Sequence, residues 1–446
     1  MREIRLGRAH WGSRFGFILA AVGSAVGLGN VWKFPYMAGE YGGAAFVLVY
    51  LAIVFTIGVS VMLAEFVIGR AAERNPVGAL ARLGGGAWPV VGFMGIAAAF
   101  IILSFYSVVA GWTIAYVVKA VTGVLATSDP DALGAVFGAF SADPVEPVLY
   151  HMIFMILTVG IVAGGVHAGI ERTCTVLLPV LFIILIVLAV RSLTLPGAME
   201  GVLFYLAPDF SKISAQTLNG ALAQAFFSLS LGMGAMITYG SYLSRKDDLP
   251  RSALWVTFCD FLVSLVAGLV ILPAVFAFSL DPAAGPGLVF ITLPAVFAQM
   301  PAGAVFAVLF FILLVIAALT SAVSLLEVVV AYLVDERGMD RRRAAVLVGV
   351  TIFLLGIPAS LSLGVWSDIQ IAGKGIFDIM DYVASNVLLP LGGIAISVFV
   401  GWVILPRATA EATSDGAHPF PWIGLWRIVC RYVAPLGISW ILVSGL

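Results

Sequence analysis

Two short runs carry most of the chemistry this sequence offers. The first is Gly23-Ser24-Ala25-Val26-Gly27-Leu28-Gly29-Asn30, and the second is Ser228-Leu229-Ser230-Leu231-Gly232-Met233-Gly234. Each sits near the middle of an apolar stretch long enough to cross a bilayer. Glycine weakens a helix by about 1 kcal/mol relative to alanine, so several together beside Ser and Asn point to unwound backbone. At membrane depth, unpaired N–H and C=O groups are tolerated only where they line an enclosed cavity or bind something. Free carbonyls suit a cation, and free N–H groups at a half-helix N-terminus suit an anion. A pocket offering both fits a zwitterion, such as an amino acid, together with sodium. Small residues also allow close helix packing, which reads the same glycines differently. Unwinding is favoured because the runs fall in the first and sixth apolar stretches, each opening a five-span half, as in an inverted repeat.

Glu65 and Asp260 are carboxylates inside apolar runs. Such groups are costly in a membrane and are candidates for function. Glu65 is expected to accept hydrogen bonds from free backbone near the breaks, and Asp260 to belong to the cation site. Enzyme chemistry finds no support. His10, His151, His167 and His418 have no partner at ligand spacing, and no nucleophile elbow or HExxH run occurs. His151 and His167 read as interfacial residues. Cys174, Cys259 and Cys430 read as buried thiols without a disulfide role.

The elements that must position these groups are membrane spans. Of 446 residues, 62% are hydrophobic and 11% charged, against roughly 25% charged in soluble domains. Much of the exterior therefore faces lipid. A net charge of −1 excludes a nucleic-acid footprint. Spans of about 20 apolar residues are expected near 14–36, 42–69, 88–123, 148–164, 174–192, 217–242, 251–279, 302–334, 344–360, 376–405 and 426–445. The chain thus reads as one all-α integral membrane domain over 1–446. Its repeats are placed at 12–192 and 217–405, with an extra helix at 426–445. Lys and Arg set the orientation. Arg2, Arg5, Arg8, Arg14, Arg70, Arg74, Arg82, Arg172, Arg245, Lys246, Arg251, Arg337, Arg341, Arg342, Arg343 and Arg407 collect on one side. That side is assigned as cytoplasmic, in a plasma (inner) membrane, with the N-terminus inside and the C-terminus outside. Segments 193–216 and 280–301 carry short amphipathic stretches, while 124–147 reads as a mobile surface loop.

The run from Trp11 to Pro35, WGSRFGFILAAVGSAVGLGNVWKFP, resembles the first span of neurotransmitter:sodium symporters. Gly42-Gly-Ala-Ala-Phe46, Ser228–Gly234, Gly287-Leu-Val-Phe-Ile-Thr-Leu-Pro294 and Ala317-Ala-Leu-Thr-Ser321 resemble later stretches of the family in the same order. With eleven spans, the chain is similar to the family's shorter bacterial branch. The resemblance implies a leucine-transporter-like fold of inverted five-helix repeats with discontinuous helices 1 and 6. It also implies two sodium sites and no organic cofactor. One site uses Ala25, Asn30, Ser228 and Asp260 with the substrate carboxylate. The other uses the carbonyls of Gly23, Val26 and Ala317 with the hydroxyls of Thr320 and Ser321. Substrate is expected among Ala25, Leu28, Gly29, Ile102, Tyr106, Phe227, Ser230, Met233, Ser321 and Leu325, with Tyr106 and Phe227 as a lid.

Gly27 stands where amine carriers of the family place an aspartate, which favours an amino acid. The apolar walls favour a large hydrophobic or aromatic one. Tyr50, Gln224, Ser228 and Ser264 match positions around the chloride of chloride-dependent relatives. Those relatives have Asn where this chain has Asp260, so chloride independence is expected. Lys33 with Asp381 is the expected outer gate, and Arg8 with Asp335, over Trp11, the inner one. Gly169 and Pro179, ten apart in the fifth span, match a spacing at which the family's fifth helix unwinds.

Overall fold

The computed structural model describes residues 10–280 and 287–444. Among these residues the chain is helical, with one isolated two-residue bridge between Ile371 and Lys374. Eight helices are long and apolar enough to cross a membrane: Ala44–Ala72, Pro89–Val121, Glu146–Ala163, Val166–Leu193, Leu249–Ala277, Gly303–Arg337, Arg341–Leu361 and Ile376–Val403. A ninth crossing is the bent pair Arg14–Ala25 and Gly29–Glu40, whose halves meet at 52°. The sixth span is split between Ala215–Ser228 and Ala235–Gly240, and residues 423–444 form the eleventh helix. The result is two five-span halves, each opening on a broken helix, plus an extra helix.

Side chains in the sequence set the ends of these helices. Ser13, Asn75, Asp248 and Asp340 each accept an N–H in the first turn of the helix that follows. Proline opens the helices Pro76–Gly84, Pro89–Val121 and Pro130–Ala142, where its missing N–H costs nothing. Seven short stretches widen to one extra residue per turn: Gly29–Lys33, Val54–Gly58, Val166–Glu171, Leu288–Thr292, Tyr382–Leu388, Phe399–Val403 and Val429–Val433.

Three expectations are corrected here. The fifth span begins at Val166 rather than 174, because Gly165 at φ 95° turns the chain directly into a wide helical turn. Segment 124–147 is not a loop: Pro130–Ala142 is a helix. Its Phe137 stacks on Phe290 at 5.5 Å, and its Phe140 is 2% exposed against Trp112 and Tyr116. This apolar payload anchors the segment to the bundle. His151 is not interfacial; it is fully buried, with Nε2 2.9 Å from the Ser107 hydroxyl and its ring against Phe353. Residues 198–206 and 288–298 do form short helices between spans. Among the cysteines, Cys174 and Cys430 are buried, Cys259 is half-buried, and all three are free thiols.

The core gathers spans 1, 3, 6 and 8. Span 8 lies along span 3, and the first half of span 1 packs between spans 5, 7 and 8. Both breaks are therefore enclosed by protein.

Candidate substrate and sodium site

The first break is the stretch between Ala25 and Gly29. Val26 leaves the helix with extended backbone. The next helical turn starts only at Gly29, and the Gly27 carbonyl accepts the Asn30 N–H at 3.2 Å. In the second break, Ser230, Gly232 and Gly234 all lie at positive φ, at 54°, 80° and 78°. Such angles are costly for residues with a Cβ, which explains the two glycines. At Gly232 a Cβ would also lie 2.4 Å from the Leu389 carbonyl oxygen.

Hydrogen bonds tie the breaks together. Ser230 donates its hydroxyl to the Ser24 carbonyl at 2.8 Å, and Ser24 donates to the Ser324 hydroxyl at 2.7 Å. Gln224 donates its amide to the Gly29 carbonyl at 2.7 Å. Glu65, from span 2, accepts the Gly232 N–H at 2.7 Å, supplying a partner that the missing helix cannot.

All the residues expected around substrate line one cavity. Ala25, Leu28 and Gly29 come from break one, Ile102 and Tyr106 from span 3, and Ser321 and Leu325 from span 8. Phe227, Ser230 and Met233 come from span 6. Gly27 and Ser228 complete the wall. The Tyr106 hydroxyl accepts the Leu28 N–H at 3.2 Å. A Cβ at Gly27 would sit 3.0 Å from that hydroxyl and 3.1 Å from Ser321 Cβ, so a side chain there fits only if Tyr106 and Ser321 shift. The cavity is only about 20 Å³, near the lower limit for a single water. A vestibule of about 220 Å³ lies on the other side of Tyr106 and Phe227, which line both spaces. Leu28 and Gly29 line both spaces as well.

Beside the cavity, Asp260 is fully buried in a cage of polar groups. The Ser228 hydroxyl reaches both carboxylate oxygens at 2.9 Å, and Tyr50 donates to Oδ2 at 3.3 Å. Asn30 Nδ2 lies 2.7 Å from Asp260 Oδ1, 2.9 Å from Ser228 Oγ and 2.8 Å from Ser264 Oγ. Its Oδ1 accepts the Gly27 N–H at 2.9 Å. Carboxylate, hydroxyl and amide oxygens suit a small hard cation, and the Asn30 amide must turn over to offer its oxygen there. Tyr50 and Ser228 thus adjoin one carboxylate and Ser264 accepts from Asn30 beside it, while Gln224 is engaged with Gly29.

On the far side of break one, Gly23 faces Thr320 and Cys174. A Cβ on Gly23 would lie 3.1 Å from both Thr320 Cβ and Cys174 Sγ. The Thr320 hydroxyl is 3.2 Å from the Ala317 carbonyl. Gly23, Ala317 and Thr320 therefore converge, and Ser321, next in the chain, lines the substrate cavity. Cys174 was not legible as a neighbour of this group, because its partner lies far away in sequence.

The expected gates come out unevenly. Lys33 and Asp381 both line the vestibule but form no ion pair. Lys33 Nζ lies 4.7 Å from the Phe227 ring centroid, and Asp381 accepts the Ser385 hydroxyl at 2.8 Å. Lysine makes this cation–π contact readily, whereas a carboxylate fork needs the planar head of arginine. Arg8 lies outside the described residues. Asp335 accepts the Asn75 N–H at 2.9 Å, and Trp11 donates its indole N–H to the Tyr239 carbonyl at 3.1 Å. In the fifth span, Gly169 lies in the wide turn and Pro179 in the helix proper. A Cβ on Gly169 would lie 2.0 Å from the Ile161 carbonyl oxygen, so this glycine also permits close packing on span 4.

Comparison with known proteins agrees with this architecture. Residues 8–132 and 143–446 match the model of the sodium:neurotransmitter symporter family. An uncharacterized sodium-dependent transporter of Bacillus subtilis (strain 168) is 42% identical, over 96% of this chain and 95% of that protein. One from Haemophilus influenzae is 40% identical, over 98% of each. A crystal structure of MhsT in complex with L-phenylalanine superposes with a TM-score of 0.91 at 48% identity, covering 99% of this chain and 100% of the other. This chain belongs to the sodium:neurotransmitter symporter family and is a multi-pass membrane protein of that family's transporter fold.

Proposed function

We propose that this protein is a sodium-coupled symporter for neutral amino acids with bulky apolar or aromatic side chains, and that it works without chloride. The observation that carries the reading is the cavity between the two breaks, with Asp260 and its oxygen cage against one wall. In this reading the substrate carboxylate meets N–H groups near Leu28 and Gly29 with the Tyr106 hydroxyl, and the ammonium faces carbonyls near Ala25, Phe227 and Ser230. The adjoining walls of Ile102, Phe227, Met233 and Leu325 carry no charge. The resemblance to a protein crystallised with L-phenylalanine supports an aromatic substrate.

A bulky side chain needs more than the space present, so Phe227 and Met233 must swing aside. Methionine is suited to that, being unbranched and flexible. When the substrate carboxylate shares a sodium ion with Asn30, Ser228 and Asp260, each ligand raises the other's affinity. A second sodium at Gly23, Val26, Ala317, Thr320 and Ser321 reports on the closed cytoplasmic side. The negative charge of Asp260 takes the place that chloride fills elsewhere. The arginine-rich face is cytoplasmic, in a plasma membrane, with the repeats at 12–192 and 217–405 rocking around the site and the helix at 426–445 outside them.

Counterflow in proteoliposomes tests this reading. Labelled Phe, Trp, Tyr or Leu should accumulate with sodium and fail to do so with choline, and gluconate should replace chloride without loss. Uptake that vanishes in gluconate removes the chloride-independent reading. A flat competition profile among neutral amino acids removes the preference for bulky side chains.

A further inference from the structure

The N-terminal end of the first half-helix is held by a carboxylate from another span. Glu171, in the opening turn of span 5, accepts the Gly12 N–H at 2.7 Å, the Ser13 N–H at 3.1 Å and the Ser13 hydroxyl at 3.2 Å. His167, one turn earlier, lies 2.8 Å from the same carboxylate through Nδ1. Ser13 in turn caps the helix by accepting the Gly16 N–H at 2.9 Å. The helix beginning at Arg14 thus ends in a double cap, one residue its own and one from span 5. An anionic partner is favoured there, because orphan N–H groups give a helix N-terminus a partial positive charge.

The fit depends on two glycines. A Cβ on Gly16 would lie 1.8 Å from Glu171 Oε1, and one on Gly12 would lie 2.3 Å from His167 Cε1. Glu171 is 5% exposed, in the wide turn Val166–Glu171 between Gly165 and the interior Pro179. No symport role discussed above uses it.

We infer that Glu171 is a positioning residue for alternating access, a latch whose bonds to Gly12 and Ser13 hold the first half-helix against span 5 while the cytoplasmic side is closed. The inference rests on the symport reading, in which the cytoplasmic side must open to release sodium. The latch and the sodium site share one wall, since Gly23 of the same half-helix packs on Cys174 of the same span. Breaking the latch lets both surfaces part, which exposes the Cys174 thiol.

The experiment reads maleimide labelling of Cys174 in the full chain, with Cys259 and Cys430 replaced by alanine, in proteoliposomes with and without sodium and L-phenylalanine. In the otherwise unchanged chain, both together should slow labelling. Glu171→Gln removes the charge from this set of bonds. In saturating sodium it should raise the labelling rate about tenfold, as expected for losing one charge-assisted set of hydrogen bonds, with Glu171→Asp in between. Its KM for sodium should rise with it. His167→Ala, on a side chain 70% exposed, tests the same carboxylate without opening a cavity. It should raise the rate about twofold, as for one modest hydrogen bond, and decides the matter alone if Glu171→Gln does not fold. Unchanged rates in the variants, in a chain that sodium and substrate do protect, overturn the latch while leaving symport intact. Absence of protection in the unchanged chain overturns the symport reading itself, and the latch with it.

Discussion

Ser230 and Ser24 meet across the two breaks, the hydroxyl of one donating to the carbonyl of the other at 2.8 Å. Ser230 holds a left-handed backbone at φ 54° while doing so. Ser230→Ala loses the bond and keeps the strained backbone. Apparent affinities for sodium and substrate should fall by about threefold to tenfold, the worth of one buried hydrogen bond. Ser230→Gly should recover thermal stability without recovering affinity, because it relieves the backbone and leaves the carbonyl unbonded. Sodium titrations of uptake, paired with melting curves, distinguish the two effects.

Asp260 lies within hydrogen-bond reach of Asn30, Ser228 and Tyr50. Neutralising it by Asp260→Asn should weaken sodium binding by about tenfold or more, as removal of a buried charge opposite a cation does. Adding chloride should restore part of the loss, since the cage would then lack its own anion. Uptake measured across a sodium series, in chloride and in gluconate, tests this; an unaltered sodium dependence removes Asp260 from the site.

Leu325 lines the small cavity opposite the breaks. Leu325→Ala should shift competition toward the largest side chains. The gain for Trp relative to Leu should reach about tenfold, the scale on which a hydrophobic pocket tells side chains apart by their methylenes. Inhibition of labelled phenylalanine uptake by unlabelled Trp and Leu gives the ratio.

At the arginine-rich face, Arg70 is buried and pairs with Glu411 at 2.6 Å, while donating to the Asp247 carbonyl at 2.7 Å and to the Ser414 hydroxyl at 3.1 Å. Arg245 joins the cluster through Glu411 at 3.6 Å and also pairs with Asp415 at 2.9 Å. Arg70→Ala should cost about 3–5 kcal/mol, because it strands a buried carboxylate. Replacing Arg70 and Glu411 together by methionine should cost less than the single change. Thermal melts in detergent compare the two.

What was legible in the sequence was whatever depends on local composition. The glycine runs announced the breaks, because a helix cannot hide several unfavourable residues in mid-membrane. The residues around the substrate were expected through the resemblance to the family rather than from local composition, and they line one cavity where the two breaks face spans 3 and 8. The helix Pro130–Ala142 escaped notice although its signals were present: Asp129 before a proline, and Phe137 and Phe140 one turn apart. Polar residues around them masked the pattern. Glu171 was not legible, since its meaning lies in two N–H groups about 160 positions earlier and reached only through the fold. The Lys33–Asp381 pair was drawn from charge signs and the resemblance to the family, which suggest attraction but not the distance at which two side chains stop.

The wide turns have an evolutionary consequence. Removing a residue from an ordinary helix swings everything beyond it by about 100°, turning lipid-facing side chains inward. Removing one from Val54–Gly58 or Val429–Val433 instead relaxes a five-residue wide turn to a normal one, and the faces on either side keep their bearings. Relatives of this protein can therefore gain or lose single residues inside membrane-crossing segments at these points, and the length of a span is a poorer guide to kinship than the order of its faces.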